Sequence, residues 1–288
     1  MYLPEPVQGW LHSGEYRHVQ GTEVFVHDSG HGEPLVCFHG FPTSSFDWHR
    51  LEPLLAHRFR VICFDFPGYG LSCKPPDRNY RIADQADVAE ALLQDLGIDQ
   101  FHLLAHDMGA TVACELLQRI EQKKTRLKAR SVSLLNAGLY MDLHQPLLTQ
   151  RLLRTPYING LVARFSSRKV FMHQYPKVYA RPQDFDAEHY ECQWALLLHH
   201  HGRRVLHKVA GYMRERMRHS DVWLSALKNS AAPVRLIWGL EDPIAVPAIA
   251  DRVERELNPA LVTRLTGVGH YPQLEEAVSV YTLLNEWL

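Results

Sequence analysis

Short, continuously apolar runs recur along the chain between turn signals. Five of them lie at residues 35–38, 60–64, 101–104, 131–135 and 234–238. Runs that are apolar throughout, rather than alternating with polar positions, indicate strands that are covered on both faces, as in a parallel sheet. We predict three further strands, at residues 14–20, 21–27 and 261–265.

Helical patterns lie between these strands, for example over residues 82–96 and 110–123. The alternation of strand and helix predicts an α/β fold, an open and mostly parallel sheet with helices packed on it.

The alternation stops near residue 138 and resumes near residue 233. The stretch between has no strand pattern, is helical and polar, and holds six of the chain's twelve tyrosines. An insertion at the carboxyl edge of such a sheet lies over the place where α/β folds bind ligands. We therefore predict a core of residues 1–137 and 225–288 and a helical cap of residues 138–224.

Composition limits the classes of function. The 288 residues, 46% of them hydrophobic, are enough for one large α/β domain with a substantial core. With 31 Lys and Arg against 32 Asp and Glu, the net charge is −1, so the positive field that drives nucleic-acid binding is absent. No apolar run approaches the roughly 18 residues of a membrane-spanning helix, and the first residues do not resemble a signal peptide. We expect neither nucleic acid nor a membrane as a partner.

The five cysteines have no CxxC spacing. Cys37 and Cys63 lie in strand-like runs and are expected to be small buried hydrophobes, which is typical of a reducing compartment. We therefore expect a cytoplasmic protein.

The strongest chemical signal is the segment Leu-Leu-Ala-His-Asp-Met-Gly-Ala over residues 103–110. A strand runs directly into a helix there, and the positions two before and two after Asp107, Ala105 and Gly109, are small. This is the layout of a nucleophile elbow, in which a strained turn exposes the central side chain above the sheet. Considered by itself, Asp107 also fits a helix N-cap, where Asp is favoured.

The residue type at the elbow constrains the substrate. A serine that attacked a saturated carbon would form an ether, which the enzyme could not hydrolyse, whereas a carboxylate forms an ester that water opens at its carbonyl. Asp107 therefore favours substrates with an electrophilic sp³ carbon and a leaving group, such as epoxides and alkyl halides. Its place at a helix N-terminus favours the ionised carboxylate.

Two further segments follow predicted strands and supply an acid and a base. Asp242 lies in Trp-Gly-Leu-Glu-Asp-Pro, and His270 lies in Thr-Gly-Val-Gly-His. The chain order nucleophile, acid, base is one of the orders found in catalytic triads. The alternatives are that Asp242 only starts a turn before Pro243, that His270 is one of 18 ordinary histidines, and that Glu241 replaces Asp242.

The segment His-Gly-Phe-Pro over residues 39–42 directly follows a strand. Such a turn aims the backbone N–H of Phe41 at the nucleophile, beside the N–H of Met108, and two donors of this kind form an oxyanion hole. The alternative is a plain turn rich in Gly and Pro. We interpret Asp-Phe-Pro-Gly-Tyr-Gly-Leu-Ser over residues 65–72 as a structural turn.

Together these segments resemble the α/β-hydrolase superfamily and, within it, the branch of epoxide hydrolases and haloalkane or haloacid dehalogenases. The resemblance covers nearly the whole chain and implies an α/β-hydrolase fold with a mostly parallel, eight-stranded sheet and an inserted cap. The chain also resembles the mesoderm-specific-transcript subfamily at residues 136–140, 145–148 and 270–275.

Departures from this branch are informative. Haloalkane dehalogenases bind the leaving halide with a Trp after the nucleophile and an Asn in the His-Gly turn. This chain has Met108 and Phe41 there, whose side chains have no N–H. Fluoroacetate dehalogenases carry an Arg after the nucleophile for the substrate carboxylate, and Met108 cannot replace it. Epoxide hydrolases instead activate the leaving oxygen with acidic side chains of the cap, normally two tyrosines.

Tyr212 is similar to the second of these ring-opening tyrosines. The first has three candidates, His173, Tyr175 and Tyr157, since some relatives use a histidine there; simple packing is the alternative for each. His39 is a further candidate for contact with the substrate.

The sequence therefore predicts a hydrolase that opens an epoxide through an ester on Asp107, while His270, oriented by Asp242, activates water. We expect no cofactor, a small hydrophobic electrophile and water as substrates, and a monomer or homodimer. A metal site at residues 199–201 is not expected, because consecutive helical side chains point about 100° apart. The alternatives are a dehalogenase with unusual halide donors and a non-catalytic binder of a small hydrophobic ligand.

Overall fold

A computed structural model describes residues 2–288, which form eight strands and thirteen α-helices. The strands are β1 (Glu15–Val19), β2 (Thr22–Ser29), β3 (Glu33–Phe38), β4 (Phe59–Phe64), β5 (Gln100–His106), β6 (Lys128–Leu135), β7 (Val234–Gly239) and β8 (Leu261–Leu265). The helices are α1 (Glu5–His12), α2 (Glu52–Leu55), α3 (Ile82–Asp95), α4 (Met108–Glu121), α5 (Leu148–Arg154), α6 (Asn159–Arg164), α7 (Arg168–Gln174), α8 (Ala187–Leu198), α9 (Leu206–Val209), α10 (Tyr212–Lys228), α11 (Pro247–Leu257), α12 (Pro272–Glu275) and α13 (Ala277–Trp287).

All eight strands belong to one sheet, in the order β1-β2-β4-β3-β5-β6-β7-β8. Strand β2 pairs antiparallel with β1 and with β4, and every other neighbouring pair is parallel. The predicted fold class, an α/β-hydrolase fold with a mostly parallel, eight-stranded sheet, is confirmed. Strand β5 continues two residues beyond its predicted end and so leads the chain directly into Asp107.

Alternate residues of the central strands enter two apolar clusters, one on each face of the sheet. In β3, Val36 and Phe38 belong to the cluster that contains α3 and α4, whereas Leu35 and Cys37 belong to the cluster that contains α1 and α13. Both faces are therefore covered, which explains why these strands are apolar throughout. Cys37 is fully buried beside Cys63 of β4, as expected, and all five cysteines are free thiols.

Helices α5 to α9 lie in succession between β6 and α10. Helix α10 packs along α4 and then leads into β7. The predicted boundary between residues 224 and 225 falls inside α10, which is one continuous helix, and the division into core and cap stays a prediction. Of the helices in residues 2–288, none combines the length and the apolar character needed to cross a bilayer.

The connection after β4 is organised by the buried carboxylate of Asp65. Its Oδ1 accepts the N–H of Ser45 at 2.6 Å, and its Oδ2 accepts the N–H of Leu71 at 2.5 Å. The hydroxyl of Ser72 donates to the backbone carbonyl of Asp65 at 2.6 Å. Gly70 has φ +47°, and a Cβ at this position would overlap the carboxylate. Asp65 thus ties this connection to the loop that follows β3.

We expect Asp65→Ala to lower the free energy of unfolding by about 2–4 kcal/mol, because two buried backbone N–H groups lose a charged acceptor. Urea denaturation measures the change. Asp77→Ala, at an exposed position of the same connection, is the matched control and should change stability by less than about 0.5 kcal/mol. Equal stability of the two variants would contradict the role given to Asp65.

Candidate active site

Asp107 lies between the end of β5 and the start of α4, at the predicted elbow. Its backbone has φ 43° and ψ −109°, a conformation that L residues rarely adopt. Gly109 approaches β3 so closely that a Cβ would overlap the carbonyl oxygens of Phe38 and His39. The small residue therefore allows helix and strand to meet, and the strained turn places Asp107 at the carboxyl edge of the sheet.

Two groups hold Asp107, which is only 2% exposed. The N–H of Phe41 donates to Oδ2 at 3.1 Å. The Nη2 group of Arg216 donates to the backbone carbonyl of Asp107 at 2.6 Å and lies 3.4 Å from Oδ1. Burial raises the pKa of Asp107, but the charges of Arg216 and His270 outweigh burial and hold this pKa below its usual value. The carboxylate is therefore ionised at neutral pH.

His270 and Asp242 follow β8 and β7, whose carboxyl ends meet at the same edge of the sheet. The Nδ1 atom of His270 lies 2.7 Å from Oδ2 of Asp242. Burial lowers the pKa of His270, but the attraction of Asp242, its hydrogen bond and the charge of Asp107 hold this pKa above its usual value. Because Nδ1 faces the carboxylate, Nε2 is left to accept a proton. Glu241 is exposed and bonds a backbone N–H, so Asp242 and not Glu241 orients the imidazole.

Asp242 is anchored by the backbone and by one side chain. Its Oδ1 accepts the N–H groups of Ile244 at 2.7 Å and Ala245 at 3.0 Å, and its Oδ2 accepts the amide of Asn136 at 2.7 Å. Burial raises the pKa of Asp242, but His270 and these hydrogen bonds hold the pKa below its usual value. The acid is therefore charged and fixed in orientation.

The two predicted oxyanion-hole amides flank Asp107. The N–H of Phe41 already points at its carboxylate. Met108 is the first residue of α4, where a backbone N–H has no acceptor within the helix. This arrangement fits the predicted oxyanion hole.

A cavity of about 310 Å³ lies between helices α5 to α9 and the carboxyl edge of the sheet. Most of its wall consists of apolar side chains from α5 to α9, and Phe41, Tyr175, His270 and Tyr271 complete it. Among the described residues, no Asp, Glu, Lys or Arg lines this cavity. Asp107 does not line it either, but its hydrogen-bond partner Phe41 does. The cavity suits an apolar molecule that reaches the reacting groups at one end.

Tyr212 is the first residue of α10 and is buried against Phe41, with ring centroids 5.4 Å apart. Its hydroxyl is buried and has no hydrogen-bond partner within residues 2–288. Burial and the negative charge of Asp107 raise the pKa of Tyr212, so the phenol keeps its proton. A free O–H donor is therefore available close to the carboxylate.

The other predicted cap donors lie in different places. Tyr175 is buried and lines the cavity, and its hydroxyl accepts a hydrogen bond from Tyr179 at 3.1 Å. His173 is exposed beside Lys177, and Tyr157 is fully exposed. Tyr175 thus shares the cavity wall with His270, and Tyr212 lies against Phe41 without lining the cavity, whereas His173 and Tyr157 are in neither place.

The helical period explains why His173 does not face the cavity, contrary to the prediction. Helix α7 turns Val170, Phe171 and Gln174 toward the cavity, and at about 100° per residue His173 falls outside this face. Tyr157 lies in the connection between α5 and α6 and points into solvent.

His39, which the sequence predicts to contact the substrate, does not line the cavity. The residue is fully buried, its Nδ1 donates to the carbonyl of Gly40 at 2.9 Å, and its Nε2 accepts the N–H of Phe66 at 3.0 Å. Because both ring nitrogens bind the backbone, His39 stabilises the turn that carries Phe41.

Two residues that no sequence motif indicated, Arg216 and Asn136, also contact the predicted site residues. Arg216 is buried one helical turn after Tyr212, and its Nε donates to the hydroxyl of Thr111 at 2.6 Å. The spacing of four residues between Tyr212 and Arg216 could have identified Arg216, because it places both side chains on one face of α10. Asn136 directly follows β6. A polar residue at the end of a buried parallel strand is the feature that could have identified it.

Comparisons with known proteins identify the family of this chain. The profile of the alpha/beta hydrolase fold family matches residues 33–277. The mesoderm-specific transcript homolog protein of Bos taurus is 34% identical over 295 residues, which cover 96% of this chain and 87% of that protein.

Two solved structures are similar over nearly their whole length. Haloalkane dehalogenase DbeA from Bradyrhizobium elkani USDA94 matches with a TM-score of 0.81 and 26% identity, over 96% of this chain and 97% of that chain. The epoxide hydrolase CorEH matches with a TM-score of 0.78 and 18% identity, over 95% and 97% respectively, which shows the fold alone. The resemblance predicted from the sequence is confirmed, and the chain belongs to the α/β-hydrolase fold family.

Proposed function

We propose that this hydrolase opens an epoxide to a vicinal diol through an ester on Asp107. The observation that carries the proposal is the unpartnered, buried phenol of Tyr212, which lies against Phe41, the residue whose N–H binds the carboxylate of Asp107. An alkoxide leaving group needs a proton donor, and Tyr212, whose raised pKa keeps it protonated, has a free O–H to donate.

In the first step the carboxylate of Asp107 attacks a ring carbon. Oδ2 is held by the N–H of Phe41, so Oδ1 is the oxygen that forms the new bond. The carbon–oxygen bond of the ring breaks, its electron pair stays on the ring oxygen, and Tyr212 donates its proton there. The product of this step is an ester between Asp107 and the opened substrate.

In the second step water attacks the carbonyl carbon of the ester, and His270 takes one proton from this water. The bond between the carbonyl carbon and the substrate oxygen then breaks, and the leaving oxygen takes this proton back from His270, so the diol is released. The second proton of the water returns to the Tyr212 phenolate, which restores the carboxylate of Asp107 and the phenol.

The N–H groups of Phe41 and Met108 stabilise the oxyanion, while Asp242 stabilises the imidazolium. Formation of the ester removes the negative charge of Asp107, which is one of the groups that raise the pKa of His270. The pKa of His270 therefore falls at the stage that needs a neutral base.

Arg216 supports the first step from behind the elbow. Its hydrogen bond to the carbonyl of Asp107 stabilises the strained backbone, and its charge keeps the buried carboxylate ionised. Its guanidinium binds the backbone carbonyl of Asp107 and the hydroxyl of Thr111, so we assign it to the nucleophile rather than to the substrate.

A dehalogenase is the second candidate, and the similarity to haloalkane dehalogenase DbeA favours it. Phe41 and Met108 argue against it, because neither side chain offers an N–H to a halide. A non-catalytic binder is less well supported, since a binder has no need for a nucleophile, an acid and a base in hydrogen-bonding order.

We expect His270→Ala to stop at the ester, because no base remains to activate water. With an epoxide such as styrene oxide, intact-protein mass spectrometry should show one added substrate mass, localised to the peptide that contains Asp107. Asp107→Asn in the same background should show no added mass.

Isotope labelling provides the complementary test of the same step. In a single turnover with excess wild-type enzyme in ¹⁸O-water, the label should enter Asp107 and not the first diol released. Label in that first diol would mean that water attacks the substrate directly, and the nucleophile assignment would fail.

We expect Tyr212→Phe to slow epoxide opening by roughly 10²-fold, the usual effect of losing a general acid, and to affect hydrolysis of the preformed ester much less. Tyr157→Phe removes the same hydroxyl at a fully exposed position and should leave the rate unchanged. Parallel assays on styrene oxide and on 1-bromoalkanes, with diol and bromide quantified, measure both reactions. Robust bromide release without epoxide turnover, or full epoxide activity of Tyr212→Phe, would replace the proposal by the dehalogenase.

We expect Arg216→Met to slow ester formation roughly 10- to 100-fold, the size of a lost charge-assisted hydrogen bond. The pKa of Asp107 should rise without this charge, so the acid limb of ester formation should move to higher pH. In the His270→Ala background the rate of ester formation by mass spectrometry isolates this step. Arg216→Lys keeps the charge and should keep the limb near its original pH. A slower rate of ester formation with an unchanged acid limb of the pH profile would mean that Arg216 has only a structural role.

A further inference from the structure

Charge is distributed unevenly between the inserted segment and the rest of the chain. Residues 138–224 contain 13 Lys and Arg but 7 Asp and Glu, whereas the other residues contain 18 Lys and Arg and 25 Asp and Glu. Within residues 143–183 there are seven Lys and Arg and no Asp or Glu. The net charge of −1 is therefore the sum of a positive segment, residues 138–224, and a negative remainder of the chain.

Exposed apolar side chains concentrate in the same segment. Of the twelve large hydrophobic side chains that are exposed within residues 2–288, six belong to α5, α6, α7 and their connections. They are Leu148, Tyr157, Ile158, Leu161, Phe165 and Val170, of which Tyr157 is 100% and Phe165 73% exposed. Single exposed apolar residues are common, but a cluster of this kind marks an interaction site.

Two members of this group mark the entrance of the cavity, and two more adjoin residues that line it. Phe165 and Val170 are exposed and also line the cavity, so they mark where it opens. Leu148 is adjacent in sequence to Leu147, and Leu161 to Val162, both of which line it. We call the six apolar residues together with the exposed cations Arg151, Arg164, Lys169 and Lys177 the cap mouth.

The cations of the cap mouth are available to a partner. Arg164, Lys169 and Lys177 are exposed and form no ion pair within residues 2–288. Arg168, by contrast, pairs with Glu191 of α8. Free cations beside exposed aromatic and aliphatic side chains match the interface of an anionic bilayer, where charges meet headgroups and apolar tips enter the acyl boundary.

We propose that the cap mouth docks on an anionic phospholipid bilayer and admits apolar substrate from it into the cavity. Cations and exposed apolar side chains, which together favour binding at an anionic interface, both belong to residues 143–183. No Asp, Glu, Lys or Arg lines the cavity among the described residues, and the cavity opens beside Phe165 and Val170, so an apolar substrate enters it without passing a carboxylate, ammonium or guanidinium group. An acidic protein would explain the cations but would leave the apolar tips and their place at the entrance without a use.

This inference replaces the expectation that no membrane is a partner, since peripheral docking needs no membrane-spanning helix. It also stands apart from epoxide chemistry, because docking is measured without any substrate. Failure to dock would leave the ester mechanism untouched, and failure of the ester mechanism would leave docking untouched.

Cosedimentation of the full chain with vesicles tests the proposal. Vesicles of phosphatidylcholine with about a third of phosphatidylglycerol should bind the protein, and vesicles of phosphatidylcholine alone should bind it much less. Binding should weaken as NaCl is raised, because salt screens the charges. Equal binding to both vesicle types, or no binding to either, would overturn the proposal.

Two double variants separate the charges from the apolar tips. Arg164→Glu with Lys169→Glu should weaken binding by at least about tenfold, given the contribution of each cation near such a surface. Tyr157→Ser with Leu161→Ser should weaken it with the charge unchanged. Lys123→Glu with Lys124→Glu is the matched control, because it makes the same change in net charge at exposed positions after α4. The control should bind like the wild type.

Other outcomes identify other partners. An equal loss in the Lys123 and Lys124 variant would show a response to net charge only, and would overturn a defined surface. Displacement of the vesicles by soluble polyglutamate, together with full binding of the Tyr157 and Leu161 variant, would indicate an acidic protein and also overturn the proposal. Thermal unfolding of each variant shows whether it is folded, so that loss of binding reports on the cap mouth.

Discussion

The ionised carboxylate of Asp107, buried at a strained turn, is the constraint on which the rest of the site depends. Removing a carboxylate from water costs several kcal/mol unless partners offset it. Here the N–H of Phe41, the guanidinium of Arg216 and the imidazole of His270 surround it. Each comes from a different part of the chain, so the loop after β3, helix α10 and the loop after β8 must all be in place before Asp107 can be both buried and charged.

The same charges link the two halves of the proposed reaction. Asp107 helps to raise the pKa of His270, and His270 helps to lower the pKa of Asp107. Conversion of Asp107 to a neutral ester breaks this mutual stabilisation and leaves His270 with Asp242. Formation of the ester at Asp107 therefore lowers the pKa of His270 before His270 acts as the base. Asn136 and two backbone N–H groups hold Asp242, so its orientation does not depend on that change.

The inserted helices have an inner face and an outer face, and both suit the proposed entry of substrate from a bilayer. Their inner faces form an apolar cavity that ends at His270 and Phe41. Their outer face around the entrance is cationic and apolar together. An apolar electrophile is poorly soluble in water and partitions into lipid, so both surfaces suit the same class of substrate. The orientation of a few short helices thus connects the chemistry of the elbow with the proposed place of docking.

The sequence by itself determined an α/β fold with a mostly parallel sheet, because continuously apolar strands that alternate with helices are local patterns with a fixed geometric meaning. The α/β-hydrolase fold followed from the resemblance of its motifs to that superfamily. The sequence also identified Asp107, Asp242, His270 and the Phe41 turn as the site's main groups. Only the tertiary structure decided which cap residues face the cavity: His173 and Tyr157 point outward, although their residue types fit. It also decided that Arg216 contacts Asp107, since a side chain on a helix far along the chain meets the elbow only when α10 packs on α4. Residue type and spacing set the chemistry, whereas side-chain direction depends on how helices pack, and no local pattern encodes that.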